Sequence, residues 1–125
     1  MKSDQRILKN VKLSCRNLWK VYGDNPSQFF LNDFPSGNDP SILSKHISDN
    51  GHIVANADVS FDVHTGEIFV IMGLSGSGKS TIVRCLSRLI KPTTGEIFLD
   101  EENLVEKSDK ELIDIRRHKM GMVFQ

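Results

Sequence analysis

The chain has 125 residues, room for one domain or part of one, and its 16 lysines and arginines balance 16 aspartates and glutamates. That neutrality gives no global electrostatic reason to expect a nucleic acid or an anionic membrane as a partner. Met1 is followed by polar and charged residues, and apolar runs such as Ile68 to Met72 are far shorter than the roughly 20 residues of a membrane helix, so neither secretion nor direct insertion is expected.

Val11 to Leu18 alternates apolar and polar residues and meets Trp19-Lys20-Val21-Tyr22-Gly23-Asp24-Asn25-Pro26, the pattern of a strand that ends in a turn. Lys2, Arg6, Lys9, Lys12, Arg16 and Lys20 stand against Asp4 alone. Their alternation with Val11, Leu13 and Cys15 predicts a solvated strand face more than a basic binding patch. Residues 26–52 read as a small helical insertion. An aromatic cluster, Phe29-Phe30-Leu31 and Phe34, leads to Asp39, which can cap a helix with Pro40 at its first position. Ile42, Leu43, His46 and Ile47 then share one face before Asn50-Gly51. His46 has no second ligand at metal spacing and reads as a packing residue, and His52, His64 and His118 are equally isolated.

Ile53 to Ala57 and Val59 to Val63 are strand candidates, and His64-Thr65-Gly66-Glu67 is the turn that follows. The unbroken apolar run Ile68 to Met72 predicts a central parallel strand covered on both faces. It delivers Gly73-Leu74-Ser75-Gly76-Ser77-Gly78-Lys79-Ser80-Thr81, the strand, phosphate loop and helix arrangement. The glycines let successive N–H groups turn inward on a phosphate, and a helix beginning near Lys79 adds its positive end. Lys79 is placed to reach the β and γ phosphates and Ser80 to hold a magnesium ion between them.

The helix from Lys79 presents Ile82, Val83, Leu86, Leu89 and Ile90 and is ended by Lys91-Pro92-Thr93-Thr94-Gly95. Cys85 lies within it. With Cys15 in a strand pattern, the two cysteines read as free, mostly buried thiols of a cytoplasmic protein, a disulfide being the alternative. Glu96 to Asp100 is a short strand and Glu101-Glu102-Asn103 its turn. Asp109 opens a helix over 110–119 that packs Leu112, Ile113 and Ile115 inward and leaves Arg116-Arg117-His118-Lys119 to solvent, at the end where cations are favourable. Met120 to Phe124 returns to strand character before Gln125.

Leu18-Trp19-Lys20-Val21-Tyr22-Gly23, Asp58 to Glu67, the loop from Gly73 to Thr81, Pro92-Thr93-Thr94-Gly95-Glu96-Ile97 and Met122-Val123-Phe124-Gln125 occur in an order that resembles the nucleotide-binding subunit of ABC transporters. The segment from Phe69 to Arg84, Leu89-Ile90-Lys91-Pro92-Thr93 and the insertion before Asp58 are similar to the ATPase of the glycine betaine/L-proline, or quaternary amine, class of importers. The resemblance covers essentially the whole chain and implies an α/β fold, the N-terminal portion of an ABC-type P-loop NTPase domain with a small helical insertion. It implies ATP and Mg2+ as cofactors, a second ATP-binding subunit, membrane permease subunits and, indirectly, a solute-binding protein as partners, with no nucleic acid. The chain is then expected at the cytoplasmic side of the cell membrane, held there through the permeases, serving osmoprotectant uptake.

By the same resemblance Tyr22 is the aromatic residue that stacks on adenine, with Trp19 as the rival ring, and Ala55 is the small residue lining the base pocket. Gln125 matches the glutamine that contacts magnesium and the attacking water. The 125 residues contain no Leu-Ser-Gly-Gly-Gln signature, no second acidic strand end with its catalytic glutamate and no switch histidine. The expectation is therefore an incomplete domain over 1–125 that is inactive in hydrolysis by itself, whereas the full-length subunit is an ATPase. A small-molecule kinase or a GTPase would share Gly73 to Ser80, but no Asn-Lys-x-Asp follows the loop and a kinase gives no reason for the aromatic turn before it. Another ABC class, or a truncated product that binds nucleotide without hydrolysing it, are the remaining alternatives.

Overall fold

The central strand, β1 (Val11–Tyr22), is flanked on both sides. In a computed structural model of the chain, which describes residues 10–31, 39–73 and 78–121, β1 pairs antiparallel with β2 (Ile53–His64) along one edge and with β3 (Thr94–Leu99) along the other. The two-residue β4 (Glu102–Asn103) extends β3, giving the order β2-β1-β3-β4. Readings that fall on Phe34, on Leu74 to Ser77, on the strand from Met122 to Phe124 and on Gln125 lie outside the described residues.

A bulge at the middle of β1 sets which side chains face which core. Asn17 and Asp58, on neighbouring strands, adopt left-handed φ values of 49° and 48°, and the Asn17 amide donates to the Asp58 carboxylate at 2.8 Å while the Asn17 N–H donates to Ser60 Oγ at 2.8 Å. One inserted residue reverses strand alternation. Leu13, Cys15 and Leu18 therefore share one core with Ile82, Cys85, Ile97, Leu99, Leu104, Leu112 and Ile115, whereas Trp19 and Val21 join Ile47 in a second. This reversal is why the sequence pattern breaks near Leu18 although the strand runs on to Tyr22. β3 passes so close to the bulge that a Cβ on Gly95 would lie 2.6 Å from Leu18 Cα, and Gly95 itself sits at φ 110°.

Three helices cover these cores. The first, α1 (Pro40–Asp49), starts as its sequence requires: Pro40 occupies the first turn and the Asp39 carboxylate accepts from Ser41 N–H at 3.0 Å. It buries Ile47 against Trp19 and Val21, but Ile42, expected on the same face, is half exposed because only the Ile47 side of the helix reaches the sheet. The second helix, α2 (Lys79–Leu86), buries Ile82 and Cys85. The third, α3 (Asp109–Lys119), buries Leu112 and Ile115.

Several expectations are corrected by this architecture. Residues 67–73 form no strand; Ile68 is 91% exposed and Met72 85%. No described segment runs beside them as a ladder partner, and an apolar run without partners for its N–H and C=O groups cannot enter a sheet. The described sheet is correspondingly antiparallel throughout. Helix α2 stops at Leu86, well before Lys91: Ser87 Oγ donates to the Val83 and Arg84 carbonyls, and Arg88 turns left-handed at φ 58° to place Nε on the Leu104 carbonyl at 3.1 Å. Val83, within the helix, and Leu89, beyond its end, are both partly exposed. In α3, Ile113 is exposed, while Arg116, expected in solvent, is half-buried and binds the Ser87 carbonyl at 3.0 Å and the Arg88 carbonyl.

Candidate functional site

The site is built at the N-terminus of α2. A helix leaves its first N–H groups without intrahelical acceptors, and a side chain at the N-cap usually takes one of them. Here the N-cap is Gly78, at φ 89°, with no side chain to do so and no acidic residue in the first turn. The end is left to an outside anion, which the helix dipole favours.

Gly78 is required twice over. Its φ is in the region L side chains rarely adopt, and a Cβ would lie 2.3 Å from the Ala55 carbonyl oxygen and 2.9 Å from Asn56 Nδ2. Both neighbours belong to β2. Asn56 is buried, and its Nδ2 donates to the Gly78 carbonyl at 3.1 Å; the same carbonyl accepts the first intrahelical bond from Ile82 N–H at 2.9 Å. The Asn56 Oδ1 is buried with no partner among the described residues.

Lys79 opens the helix and turns its side chain back, so that Nζ donates to the Gly73 carbonyl and bridges the two ends of the loop. Ser80, in the first turn, is exposed. Beside them an open cavity of about 370 Å³ is lined by Asn56, Gly78, Lys79, Val59, Ile71 and Ile82, among others. The ring of Phe69 stacks on Phe61 of β2, centroids 4.8 Å apart and planes 12° from parallel, which attaches the segment before the loop to the sheet without a ladder.

The two candidate rings are separated by burial. Trp19 is 6% exposed and packs against Phe30 at 5.3 Å, so its face is already covered. Tyr22, at the end of β1, is 41% exposed, with Lys20 Nζ 4.9 Å from its centroid. Tyr22 pairs with Ile53 and Lys20 with Asn56, which places Tyr22 and Ala55 on adjoining stretches of the β1–β2 ladder that also carries the Gly78 contact. The structure thus brings Gly73, Gly78, Lys79 and Ala55 together at one end of the sheet.

The remaining reactive groups offer no second centre. Burial pushes the Cys15 thiol up to about 12, and it raises Cys85 as well, so both stay protonated and act as core side chains. Among the described residues no cluster of histidine, cysteine or acidic side chains could hold a metal ion, and no helix is long and apolar enough to cross a membrane. The contact not visible in the sequence is that of Asn56 with Gly78. An asparagine within a strand pattern carries no motif, and the contact is visible only once β2 lies against Gly78.

The sequence profile of the family described as ABC transporter matches residues 56–125. The glycine betaine transport ATP-binding protein OpuAA of Bacillus subtilis is 53% identical over 117 residues, covering 94% of this chain and 27% of the relative. The trimethylamine N-oxide transport system ATP-binding protein TmoW of Ruegeria pomeroyi is 45% identical over 120 residues, covering 96% of this chain and 34% of the relative. Among solved structures, the ATP-binding cassette MJ0796, in a dimeric post-hydrolysis state bound to ADP and Pi, superposes with a TM-score of 0.66 at 33% identity over 90% of this chain and 38% of that one. The chain therefore spans about a third of the length of the relatives it matches. The α/β cassette fold expected from the sequence is the fold these comparisons show.

Proposed function

The chain belongs to the ABC transporter family, and from that premise we propose that it is the nucleotide-binding portion of the ATP-binding subunit of a glycine betaine/L-proline class importer. The observation that carries the nucleotide reading is the open N-terminus of α2, with Lys79 folded across the loop onto Gly73. An ammonium resting on a neutral carbonyl gains a charged acceptor when a triphosphate arrives, and charge-assisted hydrogen bonds are roughly twice as strong as neutral ones. The class is supported by relatives whose printed names concern glycine betaine and trimethylamine N-oxide and whose similarity runs through residues before 56 as well.

In this reading Lys79 and the backbone of Gly73 to Thr81, including Leu74, Ser75, Gly76 and Ser77, hold the phosphates. Tyr22 stacks on the base and Ala55 lines its pocket. The exposed Ser80 hydroxyl on the first turn and Gln125 would hold a magnesium ion, which would supply charge neutralisation at the phosphates. Binding is the property of these 125 residues, and hydrolysis coupled to solute uptake is that of a subunit paired with a second copy and with permeases at the cytoplasmic face. The domain assignment, an incomplete ATP-binding domain with residues 26–52 as an insertion, is part of the same proposal.

Titration of the chain with Mg·ATP tests it. Lys79→Ala is expected to weaken binding by more than about tenfold, the scale of a lost hydrogen bond to a charged group, with its circular dichroism unchanged. In an assembled transporter the same change is expected to abolish ATP-driven glycine betaine uptake. Equal affinity of the two chains for Mg·ATP overturns the reading.

A further inference from the structure

The Gly78 carbonyl has two donors where an ordinary N-cap carbonyl has one: Ile82 N–H from within the helix and Asn56 Nδ2 from β2. A peptide unit is planar and trans, so its N–H points away from its C=O. Fixing the Gly78 carbonyl therefore aims the Lys79 N–H outward from the helix end, where an anion is received. Asn56 is more than nine-tenths buried, lines the cavity that Gly78 and Lys79 also line, and leaves Oδ1 unpaired among the described residues. An unpaired buried acceptor costs free energy, and here it accompanies an amide whose other end does one thing. Turning the amide over would set oxygen against oxygen, so the Gly78 carbonyl fixes its orientation.

From this geometry we infer that Asn56 is a positioning residue for the phosphate loop, acting on the phosphates of the nucleotide through the Gly78–Lys79 peptide. The inference rests on the nucleotide reading above. Leucine has the same branching as asparagine and removes both the bond and the unpaired acceptor.

The test is titration of the 125-residue chain with Mg·ATP and with Mg·pyrophosphate, which engages the loop without the base pocket at Ala55. Asn56→Leu is expected to weaken both by the same factor of about three to ten, a neutral hydrogen bond's worth, while the melting temperature without ligand stays or rises. Asn56→Asp keeps the shape and loses the donor, and it is expected to weaken pyrophosphate binding further, so it answers the question should Asn56→Leu fail to fold. Wild-type pyrophosphate affinity in either folded variant overturns the inference, as does a loss confined to ATP. Lys79→Ala serves as the control. If it loses pyrophosphate binding while the Asn56 variants keep it, this inference alone falls; if wild type and Lys79→Ala bind alike or not at all, the nucleotide reading falls and takes the inference with it.

Discussion

Two helices of this molecule begin in opposite ways. At α3 the chain closes its own end: Ser108 Oγ accepts from Glu111 N–H at 3.2 Å, the Glu111 carboxylate reaches back to Ser108, and Asp109 adds negative charge to the first turn. At α2 the corresponding position is a glycine with nothing to offer, and the first turn has no acid. A cap that satisfies the N–H groups stabilises the helix and removes the anion site. Leaving them open keeps the site at a cost in stability, and α2 recovers support from outside itself, through the covered Ile82 and Cys85.

The contrast can be broken most severely at Gly78. Gly78→Val puts a branched side chain where a Cβ already collides with the Ala55 carbonyl and forces a left-handed φ on a β-branched residue. A loss above about 3 kcal/mol is expected from strain and overpacking together, read as a fall in the urea midpoint. A chain as stable as wild type would mean that β2 does not brace the helix start. Next in size is Tyr22→Ala, expected to weaken Mg·ATP binding about tenfold, within the 1–3 kcal/mol of a base stacked on an aromatic ring, while Tyr22→Trp is tolerated. Trp19→Ala should instead lower the melting temperature, since that ring is buried; a larger affinity loss there than at Tyr22 would reassign the stacking role.

Sharpening the comparison requires a change at the closed end alone. Ser108→Ala should cost about 1 kcal/mol of stability and leave Mg·ATP affinity untouched. The smallest effect is its pH dependence. The Ser108 hydroxyl and N–H, donating to Glu111, hold that carboxyl below the usual glutamate range, with Lys107 adding to the shift. A carboxyl with a depressed folded pKa contributes stability that is present above its unfolded value and lost as pH falls through the folded one. The difference between wild type and Ser108→Ala should therefore shrink in urea titrations taken from neutral pH to below the glutamate range. A constant difference would remove Glu111 from the cap.

What the sequence shows of the two ends differs for the same reason. Asp39 followed by Pro40 predicts its helix start because the capping partner, Ser41 N–H, is only two residues on, and the glycine-rich loop before Lys79 is legible because its chemistry lies in consecutive residues. Asn56 and Gly78 are 22 residues apart, and no local pattern announces their contact. Arg116 looks like a solvated member of a basic run, yet it meets carbonyls contributed by the end of another helix. The segment 68–72 differs in the opposite sense: its composition predicts a covered strand, but strand formation depends on neighbours, and among the described residues it has no ladder partner. The bulge at Asn17 is hidden because a reversed alternation looks like the end of a strand.

That bulge has a thermodynamic consequence. A regular β1 would give its inward residues to a single core, and the core around Ile47 could then loosen while the one around Ile97 stayed intact. Because one backbone changes sides at Asn17, the strand that carries Leu18 into one core carries Trp19 and Val21 into the other. Neither core can come apart without pulling on the strand the other depends on, so the two behave as one cooperative unit, and the amides of β1 on both sides of Asn17 should exchange their hydrogens through a common opening.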